Sequence, residues 1–425
     1  MSRSYSVNRT TLSASLLLLA ILLQPISASA QTVSGINAER LARIDGVLQS
    51  YVDKGELAGA VALVLQNGET VYETAVGFSD REAGRAMTTA SLFRIASQTK
   101  ALTSVVILSL LEEGKLNLND PVSRFIPEWA STTVAEVTDT DTGMSIVPAR
   151  RQITLRDLLT HTAGISYGTQ SHIADLYAQK GLGPEAGMGW YTADKEESVC
   201  STMERLASLP FVAQPGEQWV YGYNTDVLGC VAERASGMPL DELIRSRITG
   251  PLRMQDTEFF LTAAQAERLV TVYSSDDSGK AMRAVEGAKG QGHYVDGPRR
   301  NFAGGAGLVS SARDYSRFLE MIRQGGELDG VRILAPRTIA LMTSNQVGTL
   351  HSSTGLGFGL GFETTDRYGA NGMDSVGSFG WGGAYGSVYR VDPEAGLSIL
   401  LMINQLPNST DIRVKFPTLV YQALE

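Results

Sequence analysis

The run Ala101-Leu102-Thr103-Ser104-Val105-Val106-Ile107-Leu108-Ser109-Leu110-Leu111 constrains this chain more than any other segment. At helical period it is apolar nearly all the way round, and a helix without a polar face has no side to give to water. It must lie inside a fold with enough chain to cover it. The 425 residues, 43% hydrophobic and 19% charged, provide that cover as one large globular domain or two of ordinary size. Ser97-Gln98-Thr99-Lys100 opens the helix, and of the eight lysines only Lys100 has a serine three positions before it. Residues three apart on a helix share a face. The Lys100 amine is therefore carried into the fold beside the Ser97 hydroxyl, where burial disfavours its charged form. An amine next to a hydroxyl, at a helix start rich in unpaired N–H groups, is one way to activate a weak nucleophile.

The first thirty residues read as separate from the fold. Arg3 and Arg9 are their only charges, Leu16 to Leu23 form a short apolar run, and Ala28-Ser29-Ala30 has a small-x-small pattern. That is the pattern of a secretory leader cut between Ala30 and Gln31, and it predicts a periplasmic or secreted protein. No later segment approaches the ~20 apolar residues of a spanning helix, so no membrane span is expected after leader removal. The formal net charge is −9, near −11 without the two leader arginines. That acidity, with no basic stripe, excludes a nucleic-acid partner and leaves a small molecule as the expected one. An exported chain could join its two cysteines. However, Cys200 and Cys230 both sit in segments that read as buried helix faces, where a free cysteine behaves as a small apolar residue, so the reading favours unlinked thiols. No Cys-x-x-Cys or His-Glu-x-x-His spacing occurs, and neither a metal nor a cofactor is expected.

Periodicity divides the chain. Ile36, Leu41, Ile44, Leu48 and Val52 recur at helical spacing, and residues 59–66 and 70–76 read as a hairpin around Asn67-Gly68. From the Ser97 helix, which stops at Gly114, to about residue 300 the periodic segments are mostly helical: 155–159, 197–206, 225–235 and 240–248. Residues 181–189 and 274–279 read as loops. The tail changes period, with strands expected at 375–379, 386–391 and 396–402 and a closing helix at 411–424. This order predicts an α/β (α+β) fold. One antiparallel sheet with flanking helices is built from both termini (residues 31–95 plus 301–425). A mainly helical lobe (96–300) is inserted between its halves, and the site lies in the crevice between lobe and sheet.

Two further elements carry chemistry. Pro215-Gly216-Glu217-Gln218-Trp219-Val220-Tyr221-Gly222-Tyr223-Asn224 is a turn entering a helix. A tyrosine such as Tyr221, held near a lysine ammonium, has its phenolate favoured and can accept the serine proton. Gly380-Trp381-Gly382-Gly383-Ala384-Tyr385-Gly386 places glycines in a strand, which marks a close approach to backbone. An acyl group there could be gripped by the N–H groups of Ala384 and Ser97 as an oxyanion hole. A rival serine, Ser166 in Gly164-Ile165-Ser166-Tyr167-Gly168, matches the nucleophile elbow of α/β-hydrolases. That elbow needs a buried strand before it, and here a short helix precedes it. His161 reads as structural.

Together these elements resemble the serine β-lactamase-like hydrolases, and within them the class C β-lactamase-related branch that includes D-amino-acid amidases and family VIII carboxylesterases. Leu158-Leu159-Thr160-His161-Thr162-Ala163-Gly164-Ile165, Asp226-Val227-Leu228-Gly229 and Gly304-Gly305-Ala306-Gly307-Leu308 look like the same family, over roughly residues 38 to 424. The resemblance implies a β-lactamase/transpeptidase-like fold with Ser97 as acylated nucleophile. Lys100 and Tyr221 would be its base, Ser97 and Ala384 N–H the oxyanion hole, and Tyr223, Trp381, Gly382 and Gly383 the substrate contacts. Two departures matter. Tyr223 stands where the lactamases carry the asparagine of Tyr-x-Asn, and Trp381-Gly382-Gly383 stands where they carry Lys-Thr-Gly. The lysine that holds a lactam's carboxylate is thus absent. A lost charge-assisted contact costs about 1.5–3 kcal/mol, and Trp-x-Gly resembles the esterase branch. An exported serine esterase on short or medium acyl esters is the expected activity. The alternatives are a β-lactamase or cell-wall peptide hydrolase on the same site, or a silent binding homologue.

Overall fold

The computed structural model describes residues 1–6, 32–33, 35–137, 143–184, 192, 194–287 and 289–425. The expected leader and its Ala30/Gln31 cut lie outside the described residues, apart from residues 1–6. Half of the loop expected at 181–189 lies outside them too.

The chain enters through a helix (α1, Arg43–Asp53), whose Ile44, Leu48 and Tyr51 face inward. It then runs through strands β1 (Gly59–Gln66), β2 (Glu69–Asp80) and β3 (Arg85–Ala86). Asn67 and Gly68 take the positive φ values, 52° and 89°, that a two-residue hairpin turn needs. The apolar helix follows as α2 (Thr99–Glu112), preceded by a single 3-10 turn at Ala96–Gln98. Every residue from Thr99 to Leu110 is buried, as an all-apolar surface requires. A second long helix, α3 (Asn224–Ser236), packs against it. Helix α4 (Ala312–Arg323) returns the chain to the sheet. The sheet is then completed by β4 (Leu356–Phe358), β5 (Glu363–Thr365), β6 (Phe379–Gly382), β7 (Val388–Asp392) and β8 (Leu397–Met402). Helix α5 (Ile412–Tyr421) packs on α1.

The eight strands form one sheet in the order β4-β5-β6-β7-β8-β1-β2-β3, and every neighbouring pair is antiparallel. The seam is β8 on β1, with Leu397 opposite Gln66 and Met402 opposite Val61. Strand β1 is buried along its whole length, so its alternating side chains serve two cores. Val61, Leu63 and Leu65 join the core shared with α2, α3 and α4. Ala60, Ala62 and Val64 join the one under α1 and α5. Each fully buried aliphatic side chain contributes about 1.5–3 kcal/mol.

The mainly helical middle of the chain also carries a small separate sheet of Met144–Pro148, Thr133–Val137 and Pro210–Phe211. Two expectations are corrected. Residues 375–378, read as part of a strand, form turn instead, because Ser375 N–H is held by Asp392 and Gly377 N–H by the Thr365 carbonyl. The cysteines are joined. Cys200, on the helix Val199–Leu206, and Cys230, on α3, form a disulfide. Both faces are buried as read, but they face each other, which spacing along one sequence cannot show. Among the described residues no helix is long and apolar enough to cross a membrane.

The disulfide closes a loop with a sequence separation of 30 residues. In the chain-entropy model such a loop stabilises the fold by about 3–4 kcal/mol. The double variant Cys200→Ala/Cys230→Ala is expected to lose ~2–4 kcal/mol in denaturant unfolding, with turnover by folded protein retained.

Candidate active site

Ser97 is the one half-exposed residue between Ser91 and Leu110. The residue before it, Ala96, has φ +43°, a conformation that a residue with a Cβ adopts only when its surroundings enforce it. What enforces it is the 3-10 turn itself and the strand beside it. A Cβ on Gly383 would come within 2.6 Å of the Ile95 carbonyl, so only glycine lets the end of β6 press against this turn. Ser97, Gly382, Gly383 and Ala384 consequently line one cavity of about 500 Å³, together with Tyr167, Tyr221 and Trp381.

Lys100 is buried in the first turn of α2, 2% exposed. Its Nζ donates to the Gly305 carbonyl at 2.7 Å and the Tyr167 hydroxyl at 3.0 Å, and makes a long contact to Ser97 Oγ at 3.4 Å. It also stands 4.7 Å from the centroid of the Tyr221 ring. The Gly305 peptide is a bridge, because its N–H donates to Asp226 Oδ1 at 2.9 Å. A Cβ at 305 would strike the Asp226 carboxylate, and one at 304 would strike the Thr225 carbonyl at 2.7 Å. That is why Gly304-Gly305 can thread between α2 and α3. Burial pushes the Asp226 carboxyl up to about 6, against the pull of the Lys100 charge and the Gly305 N–H. Burial also pushes the Tyr167 phenol well above its ordinary value, with Tyr221 and Asp226 adding to it, so Tyr167 is a neutral hydroxyl.

Tyr221 is held by aromatic neighbours. The Trp219 ring stacks at 5.8 Å, His161 lies at 4.8 Å and Trp381 at 5.5 Å. Trp381 also donates its indole N–H to the Tyr221 hydroxyl at 3.1 Å. Phe358 packs against Trp381 at 5.4 Å.

The sequence-predicted residues thus divide. Ser97, Tyr221, Trp381, Gly382, Gly383 and Ala384 share the cavity, and Lys100 reaches Ser97 from beneath. Tyr223, expected as a substrate contact, is not on the cavity. It is 1% exposed, its hydroxyl accepts the Gly183 N–H at 3.1 Å, and its ring lies against Tyr167. In an extended segment residues two apart share a side; here the chain bends at Gly222 and enters α3 at Asn224, which leaves Tyr221 on the cavity and turns Tyr223 into the core. Asn224 pairs with His161 Nδ1 at 2.9 Å and is structural, as is His161, whose burial holds the imidazole well below its ordinary pKa. Ser166 is buried and accepts the Gly168 N–H at 3.0 Å. Three residues escaped sequence reasoning. Tyr167 was visible only as a flank of the rival serine motif, Asp226 only as part of a family-like string, and Arg413, on the closing helix, by no signal at all.

A buried lysine three residues after a half-exposed serine, with a tyrosine above it and a glycine-lined strand alongside, defines a serine hydrolase on the β-lactamase fold. The chain belongs to the Beta-lactamase family, whose profile matches residues 44–421. It is 34% identical to the esterase EstB of Burkholderia gladioli over 383 residues, 86% of this chain and 91% of that one. It is 29% identical to the lovastatin esterase of Penicillium rubens, over 83% of this chain and 90% of that one. Among solved structures, EstCE1, a hydrolase with promiscuous acyltransferase activity, superposes with TM-score 0.74 at 28% identity, covering 91% of this chain and 98% of the other. The simvastatin synthase LovD of Aspergillus terreus shares the fold with TM-score 0.74 at 23% identity, covering 91% of this chain and 98% of that one.

The Asp226 site has a pH signature. A carboxyl whose folded value is raised contributes stability fully present below the unfolded value near 3.8 and lost as pH rises through about 6, a swing of ~3 kcal/mol. Asp226→Asn removes that loss while keeping an acceptor for the Gly305 N–H. The melting temperature of the variant relative to wild type is therefore expected to rise between pH 4 and pH 7, read by thermal melts across that range.

Proposed function

We propose that the protein is an exported carboxylesterase that hydrolyses short or medium acyl esters through an acyl-enzyme on Ser97. The observation that carries the reading is the contact of Lys100 Nζ with Ser97 Oγ inside a cavity that presents Trp381 where lactamases have a lysine. The identity with two proteins named as esterases supports the choice of ester. Export rests on the leader pattern of residues 1–30.

In this reading Ser97 Oγ attacks the ester carbonyl as its proton leaves for the Lys100–Tyr221 pair. The oxygen of the tetrahedral intermediate takes N–H donors from Ser97 and Ala384. The proton then passes to the alkoxide, which departs as the alcohol. Water attacks the acyl-enzyme with the same pair as base, and the carboxylic acid leaves with Ser97 restored. The Trp381 indole N–H donates to the Tyr221 oxygen and holds that hydroxyl in place for proton transfer. Tyr167, a neutral hydroxyl, orients the Lys100 ammonium.

The test is hydrolysis of p-nitrophenyl acetate and butyrate, with labelling by a fluorophosphonate. Ser97→Ala is expected to abolish both, and esterase activity surviving in that variant would refute the assignment. Tyr221→Phe is expected to lower kcat by ~10²–10⁴-fold, and Tyr167→Phe by about tenfold or less. Turnover of a chromogenic cephalosporin at a rate near that of the best ester would favour a lactamase instead.

A further inference from the structure

The segment that carries Tyr221 is laid against one short run of chain, residues 161–165. Val220 donates its N–H to the His161 carbonyl at 2.7 Å, Gly216 to the Thr162 carbonyl at 2.7 Å and Val212 to the Gly164 carbonyl at 2.9 Å. Gly222 rests on the Ile165 carbonyl, where any Cβ would collide. The last tie is the buried Asn224. Its Nδ2 reaches the Ile165 and Val220 carbonyls at 3.3 and 3.2 Å and His161 Nδ1 at 2.9 Å. The run begins at His161, and the residue before Tyr221 hangs from the His161 carbonyl.

The backbone at His161 has the conformation for which chains usually choose glycine. The helix Leu155–Leu159 ends there: Thr162 N–H returns to the Asp157 carbonyl at 2.8 Å and His161 N–H to the Leu158 carbonyl at 3.3 Å. That pair of bonds closes a helix through a left-handed residue, and His161 has φ +57°. Glycine takes this conformation without steric cost, so a side chain kept there points to a use for it. The imidazole is buried, with its centroid 4.8 Å from that of the Tyr221 ring, 5.6 Å from Trp219 and 5.4 Å from Phe358. Two of the three groups around Asn224 Nδ2 are carbonyls, which only accept, so Nδ2 is the donor and His161 Nδ1 accepts from it. The ring proton therefore sits on Nε2. Burial, with the charges of Lys100 and His351 adding to it, holds the imidazole well below its ordinary pKa. A neutral ring gives Tyr221 a flat support and brings no second cation next to Lys100.

We propose that His161 is a positioning residue for Tyr221, holding it by a carbonyl through Val220 and by the face of its ring, so that the phenol keeps its place beside Lys100. It lines no part of the cavity and acts through Tyr221. The inference rests on the reading of Tyr221 as part of the base. It gives the left-handed residue at the end of a short helix a part in the chemistry that glycine there would not supply.

The experiment is a double-substitution cycle on p-nitrophenyl butyrate, with folded protein quantified by its cooperative thermal melt. His161→Gly suits the left-handed backbone and removes the ring, and His161→Asn, also tolerant of positive φ, is the second variant. Each is expected to lower kcat roughly 10–100-fold with KM within about threefold. Added to Tyr221→Phe, the same change is expected to alter kcat by less than about twofold, because the group it positions is gone. A wild-type kcat in the folded His161 variants overturns the proposal. So does an equal loss in the Tyr221→Phe background, the mark of damage that does not pass through Tyr221. If Tyr221→Phe alone keeps the wild-type kcat, the base assignment fails and the proposal falls with it, a failure told apart from the others by that single variant. The wild type supplies a check that needs no variant to fold. Nitrogen NMR is expected to show the His161 ring neutral and protonated on Nε2 from about pH 5 to pH 9. A ring that titrates in that range, or carries its proton on Nδ1, overturns the arrangement.

Discussion

Everything at this site depends on keeping one amine inside the protein. Lys100 enters with a helix that cannot be anywhere but the core, so its nitrogen leaves bulk water. An unsatisfied buried cation is costly, and the chain answers with a carbonyl at 2.7 Å whose own N–H is gripped by the buried Asp226. That linkage sets the spacing of α2 and α3, requires two glycines between them and fixes the amine near Ser97 Oγ. The same geometry that stabilises the lysine leaves it a short distance from the one half-exposed hydroxyl on the turn.

The other half of the site comes from the sheet. Strand β6 brings Trp381 to Tyr221 and the bare backbone of Gly382 and Gly383 to the 3-10 turn. An indole makes a different proposition from an ammonium at this place. It gives one N–H, spent on Tyr221, and a large apolar face packed by Phe358 and Trp219. The aromatic wall and the charged wall of Glu363, Arg390 and Arg413 then face one cavity.

Much of this was legible in the sequence because it is encoded locally. The all-apolar run after Lys100 states its own burial, Asn67-Gly68 states its own turn, and the change of period near the C-terminus marks the returning strands. Ser97, Lys100 and Tyr221 were found because each sits in a string whose spacing has a chemical meaning. What escaped is what only three dimensions assemble. Cys200 and Cys230 each read as the inside of a helix, and that they touch depends on how two helices cross. Tyr221 as base and Tyr223 as substrate contact both read as site residues on paper, and the bend at Gly222 leaves only Tyr221 on the cavity. Arg413 reads as one more residue of the closing helix, and that it lines the cavity depends on where that helix packs.

The pairing of β8 with β1 joins opposite ends of the chain. Strand β1 shares both cores, and neither can close until β8 exists to lie beside it. A ribosome therefore releases nearly the whole polypeptide before the central ladder can form, and the early hairpin waits with one open edge. A topology of this kind delays commitment, so the nascent chain stays threadable for as long as its last strands are missing.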